Sequence, residues 1–497
     1  MLAKGGSAVD AAIAVQMVLG LVEPASSGIG GGAFLLYWSE KEKALRSYDG
    51  RESAPAAARA DRFMKDGKPM SFIEAVVGGR SVGVPGVVAM LELAHRRHGR
   101  LAWSELFQPA IRLAEEGFEV SPRLRGALER ERFLRENVEA RALYYPGGQV
   151  ARKVVNRAYA ETLRKLAREG AAALHGGEIA ADIVRAVRAA GGDLTLGDLA
   201  GYRALEREPV CGPYRRYRVC SMGPPSAGGI AVLQILGVLE RTAFDRESRI
   251  SARSVHLFAE AGKLAYADRA RYGADPAFVP VPVKGLLAPR YLDARAALVG
   301  ERAMPLAPPG DAEAGTSHLS IADADGDVLA MTTTIESAFG SRLMARGFHL
   351  NNELTDFDFE PGTANEVGPG RRPRSSMAPT IVFDAGGSVR LALGSQGGPW
   401  IINHVAKTLV AALDWGLDAQ AAIDAPNFGS RNGPTLLERG LVPATIADDL
   451  RARGHEVQVA PLNSGVQAIE RVPGGWRGGA DARREGIVKG DKEIKRR

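Results

Sequence analysis

The sequence predicts two β-sheets packed face to face with helices outside them, a four-layer αββα sandwich of the α/β class. Three observations carry this. Strand patterns, half-polar or wholly apolar, alternate with helices through the second half of the chain. An Asp-Gly pair within Asp323–Asp327 separates the strand patterns around Leu319–Ile321 and Val328–Thr334, the strongest short signal for a hairpin. No internal repeat or hydrophilic linker divides the 497 residues, so they form one interwoven unit.

In chain order, Ser7–Val22 reads as a helix stopped by Glu23-Pro24. Its run Ala11–Val22 is a buried helix rather than a signal-peptide core, because Asp10 and Gln16 interrupt it and no small-residue cleavage site follows. Gly28–Gly32 precedes a strand, Ala33–Trp38, whereas a phosphate-binding loop follows one; close backbone packing or a tight turn is the better reading. Strand Ala44–Tyr48 leads to Asp49–Pro55. Helices are expected over Pro85–Arg97, Trp103–Gly117, Ala158–Glu169 and Gly177–Ala190, with a short turn over Leu196–Gly201. Pro209–Met222 returns to strands, Gly223–Gly229 opens an apolar helix, and Ala252–Arg271 is a further helix with Asp268, Arg269 and Arg271 at its end. A long loop, Met304–Ala314, precedes the hairpin. Strands Thr380–Phe383 and Ser388–Leu393 then run into Gly394–Gly398 and a helix, Pro399–Leu413.

Composition is that of a soluble globular chain, 45% hydrophobic and 25% charged. The net charge of +6 is scattered; only Lys489–Arg497 is a basic run, read as a solvated end and not a nucleic-acid arm. No apolar stretch reaches membrane-spanning length. Cys211 and Cys220 could face each other across a hairpin, with two buried thiols the favoured reading. The histidines show no paired metal spacing, and Asp323, Asp325 and Asp327 fail as a calcium loop because Val328 and Thr334 stand where Gly and Glu are needed. No metal or cofactor is expected.

Thr316 is the candidate of interest. It follows Gly315 where irregular chain becomes the first hairpin strand. A self-cleaving hydroxyl must attack the carbonyl just before it, and Gly315 offers no side chain to obstruct the approach. Cleavage would free an α-amine able to serve as base for the same hydroxyl. His318, two residues on, is read as a packing or hydrogen-bonding histidine. Serine-hydrolase signatures are absent. Gly394–Gly398, between strand and helix, could supply oxyanion-binding N–H groups, with a glycine turn as the plain alternative. Arg51 beside Glu52 reads by itself as an exposed salt bridge. Asn351–Phe357 carries two carboxylates, and Arg371–Met377 carries two hydroxyls before a strand.

Taken together these segments resemble the gamma-glutamyltransferase (glutathione hydrolase) family of N-terminal nucleophile hydrolases. The likeness runs from Gly5–Ala12 through Gly30–Gly32, Asp49–Pro55, Pro224–Gly229 and the Thr316 segment to Asn351–Phe357, Arg372–Met377 and Gly394–Gly398. It implies self-cleavage between Gly315 and Thr316, into a large subunit of residues 1–315 and a small catalytic one of 316–497. By proportion of 52.7 kDa these weigh about 33 and about 19 kDa. It implies Thr316 as nucleophile toward a γ-glutamyl amide, Thr334 bonding near it, and Gly397 and Gly398 holding the oxyanion, with transfer to water or an amino acid. A γ-glutamyl group ends in a zwitterion. Arg51, Ser375 and Ser376 suit its α-carboxylate, and Glu336, Glu353 and Asp356 its α-ammonium.

Several positions depart from the family pattern. Asp358–Val367 is short where many members carry a lid over the glutamyl pocket, Thr355 and Gly50 replace residues frequent in the family, and Glu336 stands where some have Asn. The lidless pattern also resembles cephalosporin (glutaryl) acylases. That reading ranks second, because a glutaryl group leaves the three acids without a cation. An unprocessed homologue that binds γ-glutamyl peptides ranks third. Family members usually carry more chain before Gly5, and the sequence as written predicts a cytoplasmic, poorly folding form or one lacking an edge strand; a start further upstream would make it periplasmic or secreted. The partners expected are a small γ-glutamyl substrate and the two subunits of one precursor, with homo-oligomerisation left open.

Overall fold

Alternation of side chains along Gly32–Ser39 divides the molecule's interior in two. In the computed structural model, which describes residues 1–246, 249–305 and 315–491, every residue of this strand is buried. Phe34, Leu36 and Trp38 enter one core with Val328 and Ala330. Ala33, Leu35 and Tyr37 enter another with Leu319, Leu329 and Met331. A strand covered on both faces has no polar side to show, hence its unbroken apolar sequence.

The first sheet is antiparallel, in the order Gly315–Ala322, Val328–Glu336, Gly32–Ser39, Ala44–Asp49, Leu205–Arg207. The second has six antiparallel strands, Gly475–Ala480, Gln467–Val472, Val389–Gly394, Thr380–Phe383, Tyr217–Ser221 and Val210–Tyr214. The hairpin strands pack over Val389–Gly394 and Gln467–Val472, so the sheets lie face to face. Helices Ala8–Val22, Val87–His98 and Arg157–Glu169 cover the outside of the first sheet. Helices Gly228–Glu240, Ala252–Tyr272 and Ile401–Leu413 cover the second. The expected four layers are present.

Local chemistry explains the first helix. Ser7 Oγ accepts from Asp10 N at 3.1 Å and Asp10 Oδ2 from Ser7 N at 2.9 Å, a reciprocal cap that satisfies two otherwise orphaned donors. The glycine run after it is packed backbone: a Cβ on Gly31 would meet Thr334 O at 2.1 Å, and one on Gly30 would meet His349 O at 2.1 Å. The triple-aspartate turn is held by its own backbone and by Arg100. Asp323 Oδ1 accepts from Asp325 N and Asp327 N, both at 3.0 Å, and Arg100 reaches Asp325 at 2.6 Å.

Some expectations need correction. Trp103–Gly117 is a 3₁₀ turn, Trp103–Phe107, followed by a helix, Gln108–Glu116. The helix expected from Pro399 begins at Ile401, after a 3₁₀ turn over Gly398–Trp400. Cys211 and Cys220 are directly opposite one another on the Val210–Tyr214/Tyr217–Ser221 hairpin and form a disulfide instead of two thiols. The loop Met304–Ala314 lies outside the described residues from 306 on, as does the basic tail from 492. Among the described residues no helix is long and apolar enough to cross a membrane.

Candidate functional site

Thr316 occupies the edge strand of the first sheet at a break in its register. Gly315 pairs with Glu336 and Thr316 with Thr334, so Ile335 has no opposite number and the backbone bulges at the Gly315–Thr316 bond. Thr334 Oγ1 donates to Gly315 O at 2.7 Å and accepts from Glu336 N at 2.7 Å. The carbonyl that Thr316 would attack is thus already polarised by a hydroxyl whose own orientation is fixed. Gly315 is also required by space, since a Cβ there would lie 2.7 Å from Ala25 O.

A cavity of about 280 Å³ opens beside this bond, lined by Arg51, Thr316, Thr334, Glu336, Glu353, Asp356, Ser375, Ser376, Met377, Gly398, Pro399 and Ile401. Folding gathers every candidate side chain around one space; of the candidate residues, Gly315 and Gly397 do not reach its wall. Gly397 (φ 124°) and Gly398 (φ 53°) take backbone conformations that favour glycine; Gly397 caps the 3₁₀ turn that Gly398 opens. The first N–H groups of a helix have no intrahelical acceptor, which leaves donors available at the cavity's edge.

Arg51 is wholly buried, not the exposed salt-bridge residue its immediate neighbours suggest. Its guanidinium contacts Glu353 and Asp356, donates to Pro373 O at 3.1 Å and Arg374 O at 2.9 Å, and lies 3.9 Å from buried Glu52. The sequence reading kept the arginine and the acids apart, one for each end of a zwitterion. The structure pairs them, because a buried cation needs a counter-charge.

Three carboxyls, from Glu52, Glu353 and Asp356, surround this one guanidinium, and a fourth, Glu336, lines the same cavity. Burial pushes Glu336 up to about 8, with Asp356 and Glu353 adding to the rise against hydrogen bonds from Ser337 and Asn352. Burial also raises Glu353, to about 7, although Arg51 opposes it. Glu52 is pushed well up by burial and by Glu353. The site therefore carries more acid than its arginine can balance, and it resists losing its last protons until another cation arrives. Directly after the Pro373 and Arg374 carbonyls that Arg51 meets, Ser375 Oγ accepts from Met377 N at 3.1 Å, while Ser376 Oγ is buried without a partner.

Two scaffold residues were missed by the sequence reading. Asn352 Nδ2 donates to Glu336 at 2.6 Å and to Thr355 Oγ1 at 3.0 Å, and Ser337 donates to the same Glu336 oxygen. Thr355 is thus part of the frame that aims Glu336. His318 is a packing residue, bonded to Thr332 at 2.8 Å and Ser320 at 3.1 Å, with burial lowering it to about 3. None of residues 358–367 lines the cavity; Phe359 stacks on Phe63 instead.

A gamma-glutamyltranspeptidase family profile matches residues 1–490. The chain belongs to the gamma-glutamyltranspeptidase family. It is 36% identical over 520 residues to the glutathione hydrolase proenzyme of Bacillus subtilis, covering 99% of this chain and 88% of the relative. It is 35% identical over 503 residues to the acylase ACY 1 proenzyme of a Pseudomonas species (strain V22), covering 97% and 88%. The crystal structure of a cephalosporin acylase from Bacillus halodurans superposes with a TM-score of 0.89 at 29% identity, over 98% of this chain and 92% of that one. The layered fold of a gamma-glutamyltranspeptidase is therefore that of the N-terminal nucleophile hydrolases, and the protein is an enzyme of this type.

Sequence spacing gave no metal motif, yet folding brings His256, Glu260 and His455 within 4.8 Å of one another. The cluster is bonded within the protein. His256 Nδ1 and His455 Nε2 share a hydrogen bond at 2.7 Å, Gly300 O and Thr435 Oγ1 meet the outer ring nitrogens at 2.8 Å, and Lys263 pairs with Glu260 at 2.7 Å. None of the three lines the cavity.

Proposed function

We propose that the protein cuts itself before Thr316 and then uses Thr316 to cleave γ-glutamyl amides, passing the acyl group to water or to an amino acid. The observation that carries this reading is the single cavity joining the Thr316 hydroxyl to an acid-rich pocket around Arg51. In the precursor, Thr316 Oγ1 attacks the Gly315 carbonyl, the chain shifts from nitrogen to oxygen, and water hydrolyses the ester. The products are a Gly315 carboxylate and a free Thr316 amine. Such an amine has a reference pKa of about 7.7–8.0, suited to taking the hydroxyl proton near neutrality. In turnover, Oγ1 attacks the γ-carbonyl and the Gly397 and Gly398 N–H groups face the oxyanion. The leaving amine departs with a proton, and water or an acceptor amine attacks the resulting ester.

The substrate's α-carboxylate would share Arg51 with Glu353 and Asp356 and take the free hydroxyl of Ser376. Its α-ammonium would supply the cation that Glu336 lacks, near Glu353 and Asp356, which share the one guanidinium. Glu336 sets a pH dependence. Below about 8 its carboxyl is protonated and neutral, and above that it attracts the ammonium. Capture of a γ-glutamyl anilide is expected to strengthen as pH climbs from 6 toward 8.5, whereas a glutaryl anilide should gain nothing.

One observation favours a second reading. With Glu336 protonated and none of residues 358–367 lining the pocket, the site at neutral pH tolerates an acyl group without an ammonium, as a glutaryl acylase requires. Steady-state comparison of the two anilides across this pH range separates the readings; glutaryl turnover equal to or above γ-glutamyl turnover would reverse their order.

The Cys211–Cys220 bond suits an oxidising compartment better than the cytoplasmic setting expected from sequence. Denatured protein from the native source should then show no reactive thiol before reduction, and two reactive thiols would return it to the cytoplasm.

A further inference from the structure

The short segment that follows the acid turn stays out of the acyl cavity, yet one of its residues bonds to both sides of the site from behind. Asn365 is 2% exposed. Its Nδ2 donates to Asp356 O at 2.8 Å, and its Oδ1 accepts from Arg374 N at 2.8 Å. A carbonyl can only accept and a backbone N–H can only donate, so these two partners fix which end of the amide faces which way. The main chain adds to the tie. Asp358 N donates to Asn365 O at 3.0 Å, and the Asp358 carboxylate pairs with Arg374 at 2.8 Å. Asp356 ends the 3₁₀ turn Glu353–Asp356, and the last carbonyls of a helical turn have no partner within it; Asn365 supplies one.

The same two residues are joined from the front. The Arg51 guanidinium contacts the Asp356 carboxylate and donates through the same nitrogen, Nη2, to Arg374 O at 2.9 Å. Asp356 and Arg374 therefore carry two bridges, one through a cation inside the site and one through a neutral amide behind it. A substrate acts on them differently. Its α-carboxylate competes for the guanidinium, and each bond that Arg51 turns toward it weakens the front bridge. The amide carries no charge and lines no part of the cavity, so the back bridge stays.

This matters for Asp356 more than for its neighbours. Its side chain is 28% exposed, against 1% for Glu353, so burial alone does not hold it. A carboxylate that must meet an ammonium while its own counter-ion is drawn away needs a second anchor. We propose that Asn365 is a positioning residue for substrate recognition, holding Asp356 toward the α-ammonium when the α-carboxylate engages Arg51 and thereby favouring γ-glutamyl over glutaryl acyl groups. This deepens the γ-glutamyl reading and rests on it. Asn365 itself touches no substrate atom and acts through Asp356 and Arg374.

The test compares a γ-glutamyl anilide with the glutaryl anilide on the processed enzyme at pH 8.5. The two compounds differ only in the α-ammonium. Both carry the carboxylate that Arg51 would meet, so the ratio of their kcat/KM values reads the ammonium side alone, and measuring both on one preparation cancels the folded fraction. Asn365→Asp keeps an acceptor for Arg374 N and removes the donor to Asp356 O; Asn365→Ala removes both. In each variant the ratio of γ-glutamyl to glutaryl turnover should fall by about fivefold, the worth of one hydrogen bond, chiefly through a higher KM for the γ-glutamyl compound. The glutaryl compound should lose less in Asn365→Asp than in Asn365→Ala. A ratio that stays at the wild-type value, whether both compounds keep their turnover or lose it together, would overturn this role and leave Asn365 a structural residue. A processed wild type that turns over the glutaryl anilide but not the γ-glutamyl one would instead defeat the γ-glutamyl reading itself, and the role of Asn365 with it.

Discussion

Thr316→Ala is expected to abolish both processing and turnover. Wild-type protein should separate on denaturing electrophoresis into chains of about 33 and about 19 kDa, and the variant should remain a single chain of 52.7 kDa. The size of the effect follows from geometry. The Gly315–Thr316 bond sits at a register break with its carbonyl held by Thr334 at 2.7 Å. Everything needed to activate that carbonyl survives the substitution except the attacking oxygen. Thr316→Ser, which keeps the hydroxyl, should still process. A wild type that stays in one piece while its site is intact would favour the unprocessed, binding-only homologue; a cleaved Thr316→Ala would place the nucleophile elsewhere.

Arg51→Ala carries the second large effect, on two observables at once. Removing the guanidinium leaves Glu52 and Glu353 buried without a cation, and breaking a buried pair costs about 3–5 kcal/mol. Thermal unfolding should therefore begin at lower temperature. Affinity for a γ-glutamyl substrate should fall by about tenfold or more as a charge-assisted bond to the α-carboxylate disappears. Arg51→Lys separates the two effects: a lysine restores charge but not the planar fork that meets Glu353, Asp356 and two carbonyls together. Stability should recover more than affinity. Unchanged substrate affinity in Arg51→Ala would remove Arg51 from the site.

Much of this architecture is legible in the sequence. The hairpin is written in Asp325-Gly326 and the alternation around it, so the position of Thr316 at the start of a strand follows from local pattern. Arg51 shows the limit of local pattern. Beside Glu52 it looks like a surface pair, because burial of one charged residue leaves no periodic trace; only the distant Glu353, Asp356 and Arg374 reveal it. Asn352 and Ser337 escaped for a related reason, since their role is to orient Glu336 and nothing in an isolated Asn or Ser announces a partner. The strands Gln467–Val472 and Gly475–Ala480 were hidden by Gly475, Gly478 and Gly479, which weaken any strand pattern although they close the second sheet. The cysteine spacing allowed a cross-hairpin pair, but spacing alone does not distinguish facing thiols from a bond.

The central claim is that the hydroxyl freed at the new N-terminus carries the γ-glutamyl group. Its most direct test is mass spectrometry of the small subunit after acid quench during turnover of a γ-glutamyl amide. The account predicts a peptide that begins at Thr316 and carries the mass of one γ-glutamyl group on that residue. An acyl group on any other residue, or steady turnover with a small subunit that does not begin at Thr316, would contradict it.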